Sequence, residues 1–193
     1  MRPLTRQEFE RAGEQGLFGP EERLELVGGE VIRKMSPQSG AHAAAISRIE
    51  QALRQAFGEG HIVRVQMPLA LGVHSEPEPD VAVVAGSVAD FDHDHPTSAR
   101  LVVEVADSTL RFDRRVKGSL YALAGVPEYW LLNLPDRVLE VHREPAAMAG
   151  GTFKHHYRSL SRLVEGDSVT PLAAPRAVIA IADLLPRPRP EQG

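Results

Sequence analysis

The sequence predicts a mixed α/β fold around one central sheet, and three observations carry that reading. Leu101–Ala106 is a near-continuous apolar run, as expected of a strand covered on both faces. Residues 41–57 and 112–124 repeat their apolar side chains at spacings of three and four, the period of amphipathic helices. Short β-prone runs bounded by glycine and proline fill the intervals.

Taken in order, a short helix near residues 5–13 has Thr5 as its cap and Glu8 three residues on. Residues 23–27 and 30–33 flank Gly28-Gly29, a two-residue hairpin loop, and Ser36-Pro37 stops the extension. The helix over 41–57 carries one stripe of Ala45, Ile46, Ile49, Ala52, Leu53 and Phe57, and Gly58 ends it. Residues 61–72 alternate through Ile62, Val63, Val65, Met67, Leu69 and Leu71, which predicts one long strand. Residues 80–85 form the next, with Pro79 tolerated only at its start or on an edge. After Leu101–Ala106, the residues Phe112, Val116, Leu120, Leu123 and Ala124 mark a helix that Gly125 stops. Residues 128–134 are a strand, and 137–143 with 153–160 an antiparallel pair. The helix between the Leu101 and Glu128 strands makes those two parallel, whereas the shorter earlier connections allow antiparallel neighbours. The core therefore reads helix, strand, strand, strand, helix, strand. Residues 1–185 are expected to form a single domain, followed by a disordered tail over 186–193, Pro-Arg-Pro-Arg-Pro-Glu-Gln-Gly.

Composition narrows the function classes. A chain of 193 residues with 42% apolar content can bury a sizeable core. The absence of cysteine removes disulfides and thiolate metal sites. No apolar run approaches the roughly 18 residues of a membrane span and no signal-peptide core opens the chain, so a cytoplasmic location is the expectation. A formal charge of −4 argues against coating of nucleic acid, although carboxylates gathered around a divalent ion also count as negative.

The chemistry sits in two strings, Glu78-Pro79-Asp80-Val81 and Leu101-Val102-Val103-Glu104-Val105. Each places a carboxylate at or inside a run that reads as buried strand, where an unpaired ionised acid costs several kcal/mol. Asp80 and Glu104 on neighbouring strands make an oxygen-rich pocket suited to Mg²⁺ or Mn²⁺, with the Val105 carbonyl as a further ligand. Lys117, on the following helix, supplies a cation for the attacking water or the transition-state oxygens. Together these point to metal-assisted phosphodiester hydrolysis. Arg111, Arg114 and Arg115 form a basic cluster beside Lys117 that can contact a phosphate backbone.

Pro79-Asp80, Glu104-Val105-Ala106, Asp113 with Lys117 four residues on, and Gly125-Val126-Pro127-Glu128-Tyr129-Trp130 resemble the Uma-type restriction endonucleases of the PD-(D/E)XK nuclease superfamily. The likeness extends back through Leu24-Glu25-Leu26-Val27-Gly28-Gly29-Glu30, Ser36-Pro37 and His42. It implies a restriction-endonuclease-like core and a magnesium-dependent nuclease acting on DNA. Asp80 and Glu104 would be the metal ligands and Lys117 the catalytic lysine. Asp113 is carried with it, Glu25 would lie near the metal, and His42 would touch a phosphate or orient a carboxylate. One departure stands out: the position two after Glu104, where the superfamily usually has its lysine, is Ala106. A homodimer is the expected assembly, because two sites cut a duplex more easily than one, with Tyr129, Trp130 and the C-terminal strands as its pairing surface.

Plainer readings stand beside these. Asp80 can be a polar strand start, Glu104 the partner of an arginine such as Arg64, and Asp113 with Lys117 a solvated i,i+4 pair. Glu25 can pair across the hairpin with Arg33, His42 can be a surface or cap histidine, and the Arg111 cluster a solvated helix face. Asp92-His93-Asp94-His95 reads as a solvated loop, and His155-His156 alternates faces of a strand. The rival function is a catalytically inactive nuclease-fold module that binds nucleic acid or a protein partner. Hydrolysis of another phosphate ester is a third possibility.

Overall fold

The computed structural model describes residues 2–19, 22–34 and 39–188. The Ser36-Pro37 stop and residues 189–193 of the tail lie outside them. A six-stranded mixed sheet organises the molecule, in the order β3 (His61–Val65), β4 (Val81–Ala85), β5 (Leu101–Ala106), β6 (Glu128–Asn133), β7 (Val138–Ala147) and β8 (His155–Leu163). Only β5 and β6 run parallel, as the helical crossover between them requires. The other neighbours are antiparallel.

Each face of the sheet buries a different layer. Helix α2 (Gly40–Phe57) lays Ala45, Ile46, Ile49, Leu53 and Phe57 on Val81, Val83, Val103 and Val105 of one face. Burial of each large side chain there contributes about 1.5–3 kcal/mol. The C-terminal pieces, β9 (Ser168–Val169), β10 (Ile179–Ala180) and helix α5 (Ile181–Leu184), complete this layer. The opposite face carries the alternate residues Ala82, Val84, Val102 and Ala106, covered by Tyr121, Val126 and the N-terminal hairpin.

That hairpin, β1 (Leu24–Val27) and β2 (Glu30–Arg33), turns at Gly28-Gly29 as predicted. Both glycines have positive φ, 61° and 84°, and a Cβ on Gly29 would fall 2.3 Å from Pro3 Cβ. A bridge from Leu26 to Glu76 fixes the hairpin to the body. Helix α1 (Arg6–Glu14) starts with the Thr5–Glu8 capping box.

Three expectations need correction. The strand from His61 stops at Val65, because Gln66 turns to φ 50°, its N–H making a last bond to the Asp80 carbonyl at 3.1 Å. Met67 onward departs from the sheet, although Leu69 and Leu71 are still buried in the second layer. The C-terminal pair is longer than predicted: Glu144 takes φ 62°, and pairing resumes at Pro145 opposite Tyr157. Tyr129 and Trp130 are wholly buried and cannot form a pairing surface between copies. Among the described residues no helix is long and apolar enough to cross a membrane.

Candidate active site

Strand register brings the two predicted acids together. Val81 faces Val103 and Ala82 faces Val102, so Asp80, one residue earlier, comes opposite Glu104. Both side chains are buried on the sheet face away from α2. The Asp80 N–H donates to Glu104 Oε2 at 3.4 Å, and the Val105 N–H donates to Asp80 Oδ2 at 2.8 Å. Asp80 is thus enclosed at the start of its strand, and the cation on Glu104 is Lys117 and not an arginine. Arg64 instead reaches toward Pro68 and the Phe91 ring.

Lys117 arrives through an irregularity in the crossover helix. The segment runs as α3 (Leu110–Phe112), a π turn over Asp113–Lys117 and α4 (Gly118–Leu123). Of the expected stripe of Phe112, Val116, Leu120, Leu123 and Ala124, Leu120 is buried and Val116 and Ala124 pack against the core. The wide turn also buries Asp113 and Lys117 and leaves Leu123 about half exposed. Lys117 Nζ lies 2.9 Å from Glu104 Oε1 and 3.1 Å from Glu25 Oε2. Glu25 thus points inward from β1, with Ile32 rather than Arg33 as its cross-strand neighbour. The Asp113 carboxylate accepts from the Thr109 hydroxyl.

His42 stands across the site at the start of α2. Its Nε2 donates to the Val105 carbonyl at 2.8 Å and lies 3.5 Å from Asp80 Oδ2. That carbonyl, expected as a metal ligand, therefore already accepts a hydrogen bond. His42 Nδ1 is buried without a partner. The arginine cluster divides. Arg114 is bound to Glu140 at 2.9 Å on the far side of the helix, whereas Arg111 and Arg115 remain exposed. The Asp92–His95 stretch is an exposed loop.

Burial and charge excess govern the electrostatics. Four carboxylates, Glu25, Asp80, Glu104 and Asp113, are buried around one lysine. Burial pushes Glu104 up to about 7 despite Lys117, with Asp80 adding to the rise. Burial likewise carries Asp113 to about 6. Burial works against ionised Asp80, but the hydrogen bond and charge of His42 and the Val105 N–H hold its pKa below the usual aspartate value. Burial also disfavours charged His42 and Lys117. Asp80 outweighs it for the imidazole, and Glu104 and Glu25 for the ammonium, so both remain raised.

A cavity of about 480 Å³ opens onto these groups. Its rim adds residues that the sequence reading missed, among them Arg23, Lys34, Ser39, Asp107 and Thr109. Lys34, just past the hairpin, donates to the Glu78 carbonyl, and Ser39 Oγ donates to Asp107 at 2.8 Å. Tyr121 was also missed, and its hydroxyl donates to Glu104 Oε1 at 2.6 Å. Its position four residues after Lys117 was the available signal.

A divalent cation can be tested against this donor set. Among the described residues no three His, Asp or Glu side chains gather into a ready-made metal cage. Mg²⁺ does not require one, since it commonly takes one or two carboxylates and keeps several waters. Two adjacent buried acids with surplus negative charge fit that pattern, and Asp80, Glu104 and the second lone pair of the Val105 carbonyl are the oxygens that would hold it.

The class that follows is a restriction-endonuclease-like mixed α/β fold with an acid-rich cavity on one sheet face. The chain belongs to the Uma2 family, described as "Putative restriction endonuclease", whose profile matches residues 6–182. The structure is similar to that of "a putative nuclease belonging to DUF820" from Anabaena variabilis, with a TM-score of 0.67 and 18% identity. That similarity covers 94% of this chain and 97% of the other. No curated protein matches the sequence.

Proposed function

We propose that the chain is a Mg²⁺- or Mn²⁺-dependent endonuclease that hydrolyses phosphodiester bonds in DNA. The observation that carries this reading is the pairing of Asp80 with Glu104 across β4 and β5, with Lys117 2.9 Å from the second acid. Asp80 and Glu104 hold the cation, which when bound supplies Lewis acidity toward the phosphoryl oxygens and lowers the pKa of water. Water adds to phosphorus and one P–O ester bond breaks, leaving a phosphate monoester and an alcohol end. Lys117 is held as an ammonium by two glutamates, so it acts as a fixed positive charge beside the reacting phosphate rather than as a base. His42 keeps Asp80 and the Val105 carbonyl oriented, and Glu25 and Asp113 keep Lys117 charged. Exposed Arg111 and Arg115, with Lys34 and Arg23 on the cavity rim, contact the DNA backbone. Residues 1–185 act as one domain in the cytoplasm, and a homodimer brings two sites to one duplex.

The purified chain should cut plasmid or oligonucleotide DNA with Mg²⁺ or Mn²⁺ and be silent in EDTA. Asp80→Ala that cuts as fast as the parent overturns the assignment. A chain that binds DNA but neither cuts it nor takes up Mg²⁺ in calorimetry is instead an inactive nuclease-fold module.

A further inference from the structure

The two oxygens of Glu104 have different surroundings. Oε1 receives both donors that approach from the crossover helix, Lys117 Nζ at 2.9 Å and the Tyr121 hydroxyl at 2.6 Å. Among the described residues Oε2 receives only the long contact from the Asp80 N–H at 3.4 Å. One oxygen is thus filled from the helix side, and the other is left beside Asp80. Lys117 alone would not define the carboxylate plane, because an ammonium is a point charge on a flexible stem that tolerates many approach directions. A phenol hydroxyl on a rigid ring does define it. The Tyr121 ring is wholly buried and packs on Tyr129, with centroids 5.2 Å apart.

The helix is shaped to deliver both donors. Over two steps of four residues an ordinary α-helix drifts about 80° around its axis. The π turn over Asp113–Lys117 interrupts that drift, and Asp113, Lys117 and Tyr121 are all buried in spite of it.

We propose that Tyr121 is a positioning residue: with Lys117 it saturates Glu104 Oε1 and thereby presents Oε2, next to Asp80, as the oxygen that takes the divalent cation. This rests on the metal-dependent reading above. Groups of this kind, which hold a ligand without touching the metal, typically change metal affinity about 10–100-fold when removed.

The test is calorimetric titration of the apo-protein with Mn²⁺ alone, comparing the parent with Tyr121→Phe, Tyr129→Phe and Glu104→Gln. Tyr121→Phe keeps the ring and removes one hydroxyl. Its Mn²⁺ dissociation constant should rise about tenfold with the thermal midpoint within a few degrees of the parent. Tyr129→Phe removes a hydroxyl that donates to the Asp113 carbonyl and should bind Mn²⁺ like the parent. Equal affinity in Tyr121→Phe and parent, with binding abolished in Glu104→Gln, overturns the role of Tyr121 and leaves the metal site standing. A parent that takes up no Mn²⁺ overturns the metal-dependent reading itself. If Tyr121→Phe does not fold, the parent labelled with ¹³Cζ-tyrosine is titrated with Mg²⁺. The chain has three tyrosines, so Tyr129→Phe and Tyr157→Phe assign the Tyr121 resonance by elimination. That resonance should move on Mg²⁺ addition, and a stationary one overturns the proposal.

Discussion

Two glutamates on neighbouring strands are equally buried and have opposite characters. Glu128 opens β6 on the α2 face of the sheet, and Glu104 lies on β5 on the other. Glu128 Oε1 accepts from Trp130 Nε1 at 3.0 Å and from Arg143 at 2.9 and 2.6 Å, while Oε2 accepts from the Leu172 N–H at 2.7 Å. One acid meets one arginine, and both of its oxygens accept short hydrogen bonds. Glu104 shares a single lysine with Glu25, faces Asp80, and keeps one oxygen nearly free. Burial alone therefore does not separate the two acids, and the excess of acids over cations around Glu104 does.

The sharpest way to break that contrast is to neutralise each acid. Glu104→Gln should abolish Mg²⁺ uptake in calorimetry and lower cleavage about a thousandfold. Its melting temperature should stay within a few degrees, because a group pushed up to about 7 loses little by being uncharged. Glu128→Gln should do the reverse. It strands Arg143, costs about 3 kcal/mol in urea unfolding, and leaves Mg²⁺ uptake alone. Matching profiles for the two variants would erase the distinction.

Lys117→Met tests the same imbalance from the cation side. Removing the lysine leaves Glu25, Glu104 and Asp113 without a buried counter-charge, at a cost of about 3–5 kcal/mol at pH 8. The loss should shrink at pH 5, where Glu104 and Asp113 take up protons, as measured by unfolding at the two pH values.

Glu76 extends the comparison to a third enclosed acid, away from the cavity. Burial first, and then Glu10, push it up to about 7, while Arg6 at 3.5 Å pulls the other way. The folded chain therefore holds a proton that the unfolded chain has released. This stabilisation is complete below about pH 4.5 and is lost as pH rises through 7. Glu76 should make stability decline by about 2–3 kcal/mol from pH 5 to pH 8, and Glu76→Gln should remove that share of the slope while leaving the share of Glu104 and Asp113.

The smallest expected effect separates two arginines. Arg111→Ala should weaken DNA binding a few-fold and lower the salt slope by about 1. Arg114→Ala should leave that slope unchanged and lower the melting temperature, because its guanidinium is committed to Glu140.

Legibility in the sequence followed the range of the interaction. Alternation, helical period and Gly28-Gly29 are local signals, and the hairpin, α2 and the parallel β5–β6 crossover were readable from them. Asp80, Glu104 and Lys117 were readable as charges embedded in apolar or helical runs, and the fold brings those three together. Gln66 was not readable. Alternation continues past it, so only the backbone reveals that the strand ends there. The π turn was equally silent, since a period of three to four cannot register one extra residue, and Leu123 was placed in the buried stripe although it is half exposed. Lys34 and Tyr121 were missed because their significance depends on partners far away in the chain, Glu78 and Glu104.

The crossover from β5 to α4 has a consequence for the order in which charge leaves water. Glu104 and Lys117 are separated by 13 positions and belong to consecutive elements, so acid and base can pair as soon as that one loop closes. Glu25 comes from the distant hairpin and closes a much longer loop to reach the same ammonium. The local pair therefore joins an anion to a cation across a short loop, and the negative surplus comes from acids brought in over longer ones.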